Sequence, residues 1–148
     1  MVAVVGRAGG PLAGAIADYE RRAARYWPLV VKEVKEGRGT SPAVVRRDEG
    51  GRLLAALPAR GEVVACDERG AAMTSDAFAA WLGRVRDAGG ALAFVIGGAH
   101  GLDDAVRARA TKVLGVAPWT LPHEMARLVL AEQLYRAGTL LRGEPYHK

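Results

Sequence analysis

The chain of 148 residues closes on Leu140-Leu141-Arg142-Gly143-Glu144-Pro145-Tyr146-His147-Lys148, which puts a guanidinium, a phenol and an imidazole where termini usually fray. Such a set can hold a phosphate, stack on an exposed ring and accept a proton. As plain structure, it would be an extension packed on a partner copy. A second chemical signal is the stretch FVIGGAHGL from Phe94 to Leu102, in which an apolar strand runs into Gly97, Gly98 and Gly101. Glycine has no Cβ, so this segment either makes a tight turn or admits a ligand close to the backbone. It matches neither the GxGxxG dinucleotide fingerprint nor the GxxxxGK[ST] phosphate loop, so a pyrophosphate cradle is not expected. The third signal is Ala117-Pro118-Trp119-Thr120-Leu121-Pro122. Its prolines make it stiff and extended until Pro122, leaving backbone N–H and C=O groups that a planar heterocycle or water must satisfy.

Other residues carry less. His100 reads as a polar surface residue without a catalytic role. Asp67 and Glu68 follow a strand, and adjacent strand residues point to opposite faces, so they are expected to form a turn and not to share a proton. Gly6 to Gly10, reading GRAGG, is expected to be another turn. Three histidines far apart and a single cysteine, Cys66, give neither metal-ligand spacing nor an internal disulfide, so no metal is expected.

Elements that would position these signals alternate along the chain. Strands are predicted at Val2 to Gly6, Leu29 to Val34, Glu62 to Asp67, Ala91 to Gly98 and Lys112 to Val116. Helices are predicted near Leu12 to Arg25, Pro42 to Leu57, Ser75 to Ala88, Asp103 to Ala110 and Pro122 to Leu141. This order is that of an α/β domain with a mainly parallel sheet. Ser41 before Pro42, and Thr74 or Ser75, suit helix N-caps, while Gly89 and Gly90 suit a helix end. In the last helix Met125, Leu128, Val129 and Leu134 mark a buried face, with Met125 and Leu134 in the core, and Glu132 pairs with Arg136. The Gly/Arg-rich segment from Glu36 to Pro42 is expected to be a mobile loop.

The length fits one domain, residues 1 to 148. No apolar run is long enough for a membrane span and no signal peptide is visible, so a cytoplasmic location is expected. The formal charge is +5, and the stretch from Asp18 to Arg60, with ten basic and six acidic residues, carries +4 of it. That stretch is either a solvated basic face or an RNA or phosphate footprint.

FVIGGAHGL together with TLPHEMARLVLAEQLYRAGTLLRGEPYHK closely resembles the SPOUT-class methyltransferases that modify N3 of a pseudouridine in 23S ribosomal RNA, the ribosomal large subunit methyltransferase H family. VAVVG, DYERR and VVACD match more weakly, and the resemblance covers the whole chain. It implies a single-domain α/β-knot fold with a C-terminal trefoil knot and a homodimer whose cofactor pocket one subunit completes for the other. It also implies S-adenosylmethionine bound by Cys66, Gly97, Gly98, Val116, Ala117, Pro118, Trp119, Thr120, Leu121 and Pro122. By the same resemblance Arg142, Tyr146 and His147 reach the target nucleotide, and the substrate is 23S rRNA in the assembled ribosome. Glu124, where many relatives carry Gln, and Cys66, where Leu is usual, depart from the pattern. Two other readings remain: a noncatalytic ribosome-binding or assembly protein with this fold, and a SPOUT tRNA methyltransferase.

Overall fold

Side-chain alternation along five short strands sorts the apolar residues into two cores, one on each face of a single sheet. A computed structural model describes residues 1–146. Its strands are β1 (Val2–Val5), β2 (Val31–Val34), β3 (Glu62–Ala72), β4 (Leu92–Ile96) and β5 (Lys112–Gly115). They hydrogen-bond in the order β2-β1-β4-β3-β5, and every paired strand is parallel to its neighbour. The helices are α1 (Ala13–Ala23), α2 (Pro42–Ala56), α3 (Ser75–Asp87), α4 (Asp104–Arg109) and α5 (His123–Leu141), with a 3-10 turn at Gly10–Leu12.

Parallel strands need helical crossovers, and the helices bury both faces. Val2, Val4, Val64, Phe94 and Ile96 pack with Ala23 of α1, Phe78 and Trp81 of α3, and Leu130 and Leu134 of α5. The alternate residues Ala3, Val5, Val63, Ala65 and Val95 meet Leu53 of α2 and Val106 of α4. Local caps set the helix starts. Ser41 Oγ accepts the Val44 N–H at 3.4 Å ahead of Pro42, and Thr74 Oγ1 accepts the Ala77 N–H at 3.2 Å. Gly89, with φ at +67°, closes α3.

The structure corrects two expectations. Asp67 and Glu68 do not form a turn that ends the third strand, because β3 continues to Ala72. Its ladder with β5 shifts, so that Cys66 and Ala71 both lie opposite Leu114 and residues 67–70 are the surplus that bulges out. Gly70 makes the crossing possible: a Cβ there would lie 2.4 Å from the Gly115 backbone nitrogen. The buried face of α5 also differs. Met125 is 42% exposed, and the face is formed by Leu130, Ala131, Leu134, Ala137 and Gly138. Small residues lie on that stripe because α1 and its following turn come close, and a Cβ on Gly138 would meet Cγ of Tyr26 at 2.2 Å. A search for large apolar residues at helical spacing misses such a face.

The same face buries a charge. The Arg127 guanidinium contacts Glu20 of α1 at 2.7 and 3.2 Å and Glu33 of β2 at 2.7 Å, binding three elements together. Burial opposes the charge on Arg127, but the two carboxylates outweigh it and raise its pKa, while the Arg127 hydrogen bond holds Glu33 below its ordinary range. The loop after β2, expected to be mobile, is tied at its start. Arg52 donates to the Lys35 and Glu36 carbonyls at 2.9 Å, and the Gly37 N–H donates to Glu49 Oε1 at 2.9 Å.

Candidate active site

In an open parallel sheet, ligands bind beyond the carboxyl ends of the strands. Here the segments that follow β3, β4 and β5 enclose a cavity of about 870 Å³, closed on one side by Arg46 of α2 and on another by His123 and Ala126 of α5. Of the ten residues that the resemblance assigns to the cofactor, nine line this cavity; Pro118 does not.

The glycine loop is a tight turn as well as a cavity wall. Gly98 and Gly101 form an antiparallel bridge, with the Gly101 N–H donating to the Gly98 carbonyl at 3.0 Å. A Cβ on Gly97 would lie 2.7 Å from the Gly101 carbonyl carbon, and one on Gly98 would lie 2.7 Å from Glu49 Oε2. Glu49 is only 4% exposed, and its Oε2 has no hydrogen-bond partner among the described residues. Its other oxygen holds Gly37, so one buried carboxylate braces the glycine loop against the loop after β2.

After β5 the chain forms no helix or strand until His123, and residues 117–121 make no backbone-to-backbone hydrogen bond among the described residues. One side-chain tie fixes this loop, as the Thr120 hydroxyl donates to the Glu68 carboxylate. The sequence left Asp67, Glu68, Arg69 and Arg107 without a functional role and placed Arg46 only within the basic stretch from Asp18 to Arg60, yet all line the cavity. The position of Asp67 and Glu68 after a strand and the basic stretch around Arg46 were the only signals for any of them; Arg69 and Arg107 come from the topology. Arg107 donates to Asp67 at 2.8 Å. Burial alone would raise the Asp67 pKa, but the Arg69 N–H and the Arg107 guanidinium outweigh it and keep the carboxyl below its ordinary range. Burial pushes the Cys66 thiol up to about 12, only partly opposed by a backbone hydrogen bond from Val95, so it stays a neutral wall atom at physiological pH. His100 is exposed at the cavity edge.

The tail is elsewhere. The Arg142 guanidinium lies 4.7 Å from the ring centroid of Tyr26. The Tyr146 hydroxyl donates to Glu132 at 3.0 Å and lies 3.3 Å from the Tyr19 hydroxyl, while its ring meets Tyr135 edge-on at 4.6 Å. Burial, aided by these hydrogen bonds, raises the Tyr146 pKa, so the phenol keeps its proton at neutral pH. Both residues follow the C-terminal end of α5, whereas the cavity touches its first turn. At about 1.5 Å per residue, a helix of 19 residues separates those ends by roughly 27 Å. Tyr146 folds back to Glu132 and Tyr135, halfway along α5, and neither it nor Arg142 lines the cavity of its own chain. His147 lies outside the described residues. Among the described residues no cluster of His, Cys, Asp or Glu could hold a metal ion, and no helix is long and apolar enough to cross a membrane.

Comparison with known proteins adds three findings. The family described as predicted SPOUT methyltransferase matches residues 1–147. Ribosomal RNA large subunit methyltransferase H of Gemmatimonas aurantiaca is 63% identical over 139 residues, covering 93% of this chain and 90% of that protein. The protein of the same name from Anaeromyxobacter sp. is 50% identical over 151 residues, covering 99% and 97%. A solved structure, the SpoU methyltransferase AviRb from Streptomyces viridochromogenes in complex with the cofactor AdoMet, aligns with a TM-score of 0.47 at 17% identity. That alignment takes in 97% of this chain but 58% of AviRb, too loose a likeness to argue from.

Proposed function

The chain belongs to the SPOUT methyltransferase family, and we propose on that premise that it is an S-adenosylmethionine-dependent enzyme that methylates N3 of a pseudouridine in 23S rRNA. The observation that carries this reading is the cavity at the carboxyl ends of the strands, walled by the glycine loop and the Pro-flanked loop. Its volume of about 870 Å³ lies within the range of cofactor sites, roughly 300 to 1,000 Å³.

The residues present fit the cofactor. The backbone of residues 117–121, which has no backbone partner among the described residues, would supply N–H and C=O groups to the adenine edge. Gly97 and Gly98 would let the nucleoside approach the chain closely. Cys66 would contribute backbone and a neutral side chain. When bound, S-adenosylmethionine supplies an electrophilic methyl carbon on a sulfonium. The chain must then hold the target nitrogen in line with that carbon at about 3 to 3.5 Å, accept the N3 proton and favour the developing negative charge.

Arg142, Tyr146 and His147 fill these roles in the reading. Arg142 holds a phosphate or a base carbonyl, Tyr146 stacks on a base, and His147 takes the proton. The Tyr146 phenol, which keeps its own proton at neutral pH, is unsuited to that last task. Because neither Arg142 nor Tyr146 lines the cavity of its own chain, the tail in this reading serves the cavity of a second copy, and the working molecule is a homodimer. The trefoil knot of the C-terminal region, a single domain over residues 1 to 148, action on the assembled ribosome and a cytoplasmic location belong to the same reading.

Incubation with labelled S-adenosylmethionine and, in parallel, ribosomes, free large subunits and bulk tRNA tests it. Label recovered in 23S rRNA is expected. Label in tRNA would move the chain to another SPOUT activity, and cofactor binding without any transfer would favour a noncatalytic ribosome-binding protein.

A further inference from the structure

Of the three tryptophans, Trp81 is buried in the core and Trp27 donates its indole N–H to the Leu134 carbonyl at 2.8 Å. Trp119 is 74% exposed, lines the cavity, and makes no hydrogen bond among the described residues. At the cavity edge the indole offers a large flat apolar face to whatever enters the cavity. The loop that carries it is stiffened by Pro118 and Pro122 and tied by Thr120 to Glu68, so little freedom remains to be lost when something stacks there.

The surrounding charge selects the occupant. Arg46 of α2 and Arg69 of the β3 bulge line the same cavity, and neither side chain is ion-paired among the described residues. The nearby carboxylates are engaged, Asp67 by Arg107 and Glu68 by Thr120. An aromatic face beside guanidiniums that make no salt bridge among the described residues, although the charge of Arg69 acts on Asp67, is a combination that binds unpaired RNA, bases on the ring and phosphates on the cations.

We propose that the Trp119 side chain is the stacking platform for an unpaired nucleotide of the substrate RNA adjoining the target base, with Arg46 and Arg69 contacting its phosphates. The proposal rests on the rRNA methyltransferase reading and extends it: the backbone of the loop serves the cofactor and the indole serves the RNA.

Steady-state kinetics on assembled ribosomes compare wild type with Trp119→Ala and Trp119→Phe, alongside calorimetric titration with S-adenosylmethionine and sedimentation. Trp119→Ala should raise KM for ribosomes about tenfold and Trp119→Phe should recover most of the loss, since base stacking needs only an aromatic face. Cofactor affinity should stay within about twofold, because that contact is made by backbone. Arg46→Ala and Arg69→Ala should each reduce the salt dependence of KM by about 0.7 in the logarithmic slope, one phosphate contact apiece. A short oligouridylate should quench the emission of wild type but not of Trp119→Phe. An unchanged KM for Trp119→Ala, with wild type active, overturns the proposal while leaving the methyltransferase reading intact. Weakened cofactor binding would assign the indole to the cofactor wall instead, and a shift to monomer would assign it to the contact between copies. Inactive wild type would contradict the underlying reading.

Discussion

In the proposed reading Tyr146 belongs to the active site without doing its acid–base work. Burial and the hydrogen bonds with Glu132 and Tyr19 raise its pKa, so at neutral pH the phenol keeps its proton and acts as a donor. The proposal leaves the imidazole of His147 as the proton acceptor, and a free imidazole titrates at about pH 6.5. The rate of a single turnover should fall as pH drops below about 6.5, where a protonated imidazole can accept nothing. His147→Ala should slow the reaction and remove that acid limb, whereas Tyr146→Phe should keep it. Loss of the limb in Tyr146→Phe would reverse the assignment. Cys66 gives a second test at this scale. With its thiol pushed up to about 12 by burial, alkylation at pH 8 should be far slower than for a free cysteine, and Cys66→Ala should bind S-adenosylmethionine with unchanged affinity. Rapid alkylation would contradict the neutral-wall role.

Between elements, Arg127 with Glu20 and Glu33 forms a largely buried tie outside the apolar cores. Arg127→Met should destabilise the fold by about 3 kcal/mol in urea unfolding, because it leaves two carboxylates facing an apolar side chain; the partial exposure of Glu33 keeps the loss from being larger. Adding Glu20→Gln and Glu33→Gln should recover part of it, and a neutral single variant would show that the network contributes nothing. The pH dependence follows from the lowered pKa of Glu33. Its pairing is fully present above the ordinary carboxylate value of 4.5 and is lost as pH falls through the lowered one, so wild type should lose stability more steeply in acid than Arg127→Met. This network was not legible in the sequence, since its members lie 94 and 107 residues apart. What the sequence did carry was local: β-branched runs became the five strands, Ser41-Pro42 and Thr74 became caps, and FVIGGAHGL and APWTLP became walls of one cavity. The bulge at residues 67–70 escaped it because the bulge depends on Gly70 passing Gly115 at close range, a contact between distant segments. The α5 face escaped because Ala137 and Gly138, not large residues, meet α1 and Tyr26.

At the scale of the whole molecule the arrangement is an enzyme divided by its own longest helix. The cavity gathers at the start of α5 and the tail begins at its end, and the proposed reading completes the cavity of one copy with the tail of another. The sequence motifs named both parts but could not give the distance between them, which depends on where the helix lies against the sheet. Two damaged proteins should therefore make one working site. A pocket variant, Gly98→Val, drives side-chain atoms into Glu49 and Val5, and a tail variant, Arg142→Ala with His147→Ala, removes the groups assigned to the nucleotide. In an isologous dimer formed by random pairing of the two, about a quarter of the sites would combine an intact cavity with an intact tail. The most direct measurement is the amount of 3-methylpseudouridine formed in 23S rRNA by the co-expressed pair, set beside each variant alone and wild type. Near silence from each variant, with about a quarter of wild-type product from the pair, is expected. No 3-methylpseudouridine from wild type would contradict the assigned reaction, and an active wild type with a silent pair would contradict a site shared between copies.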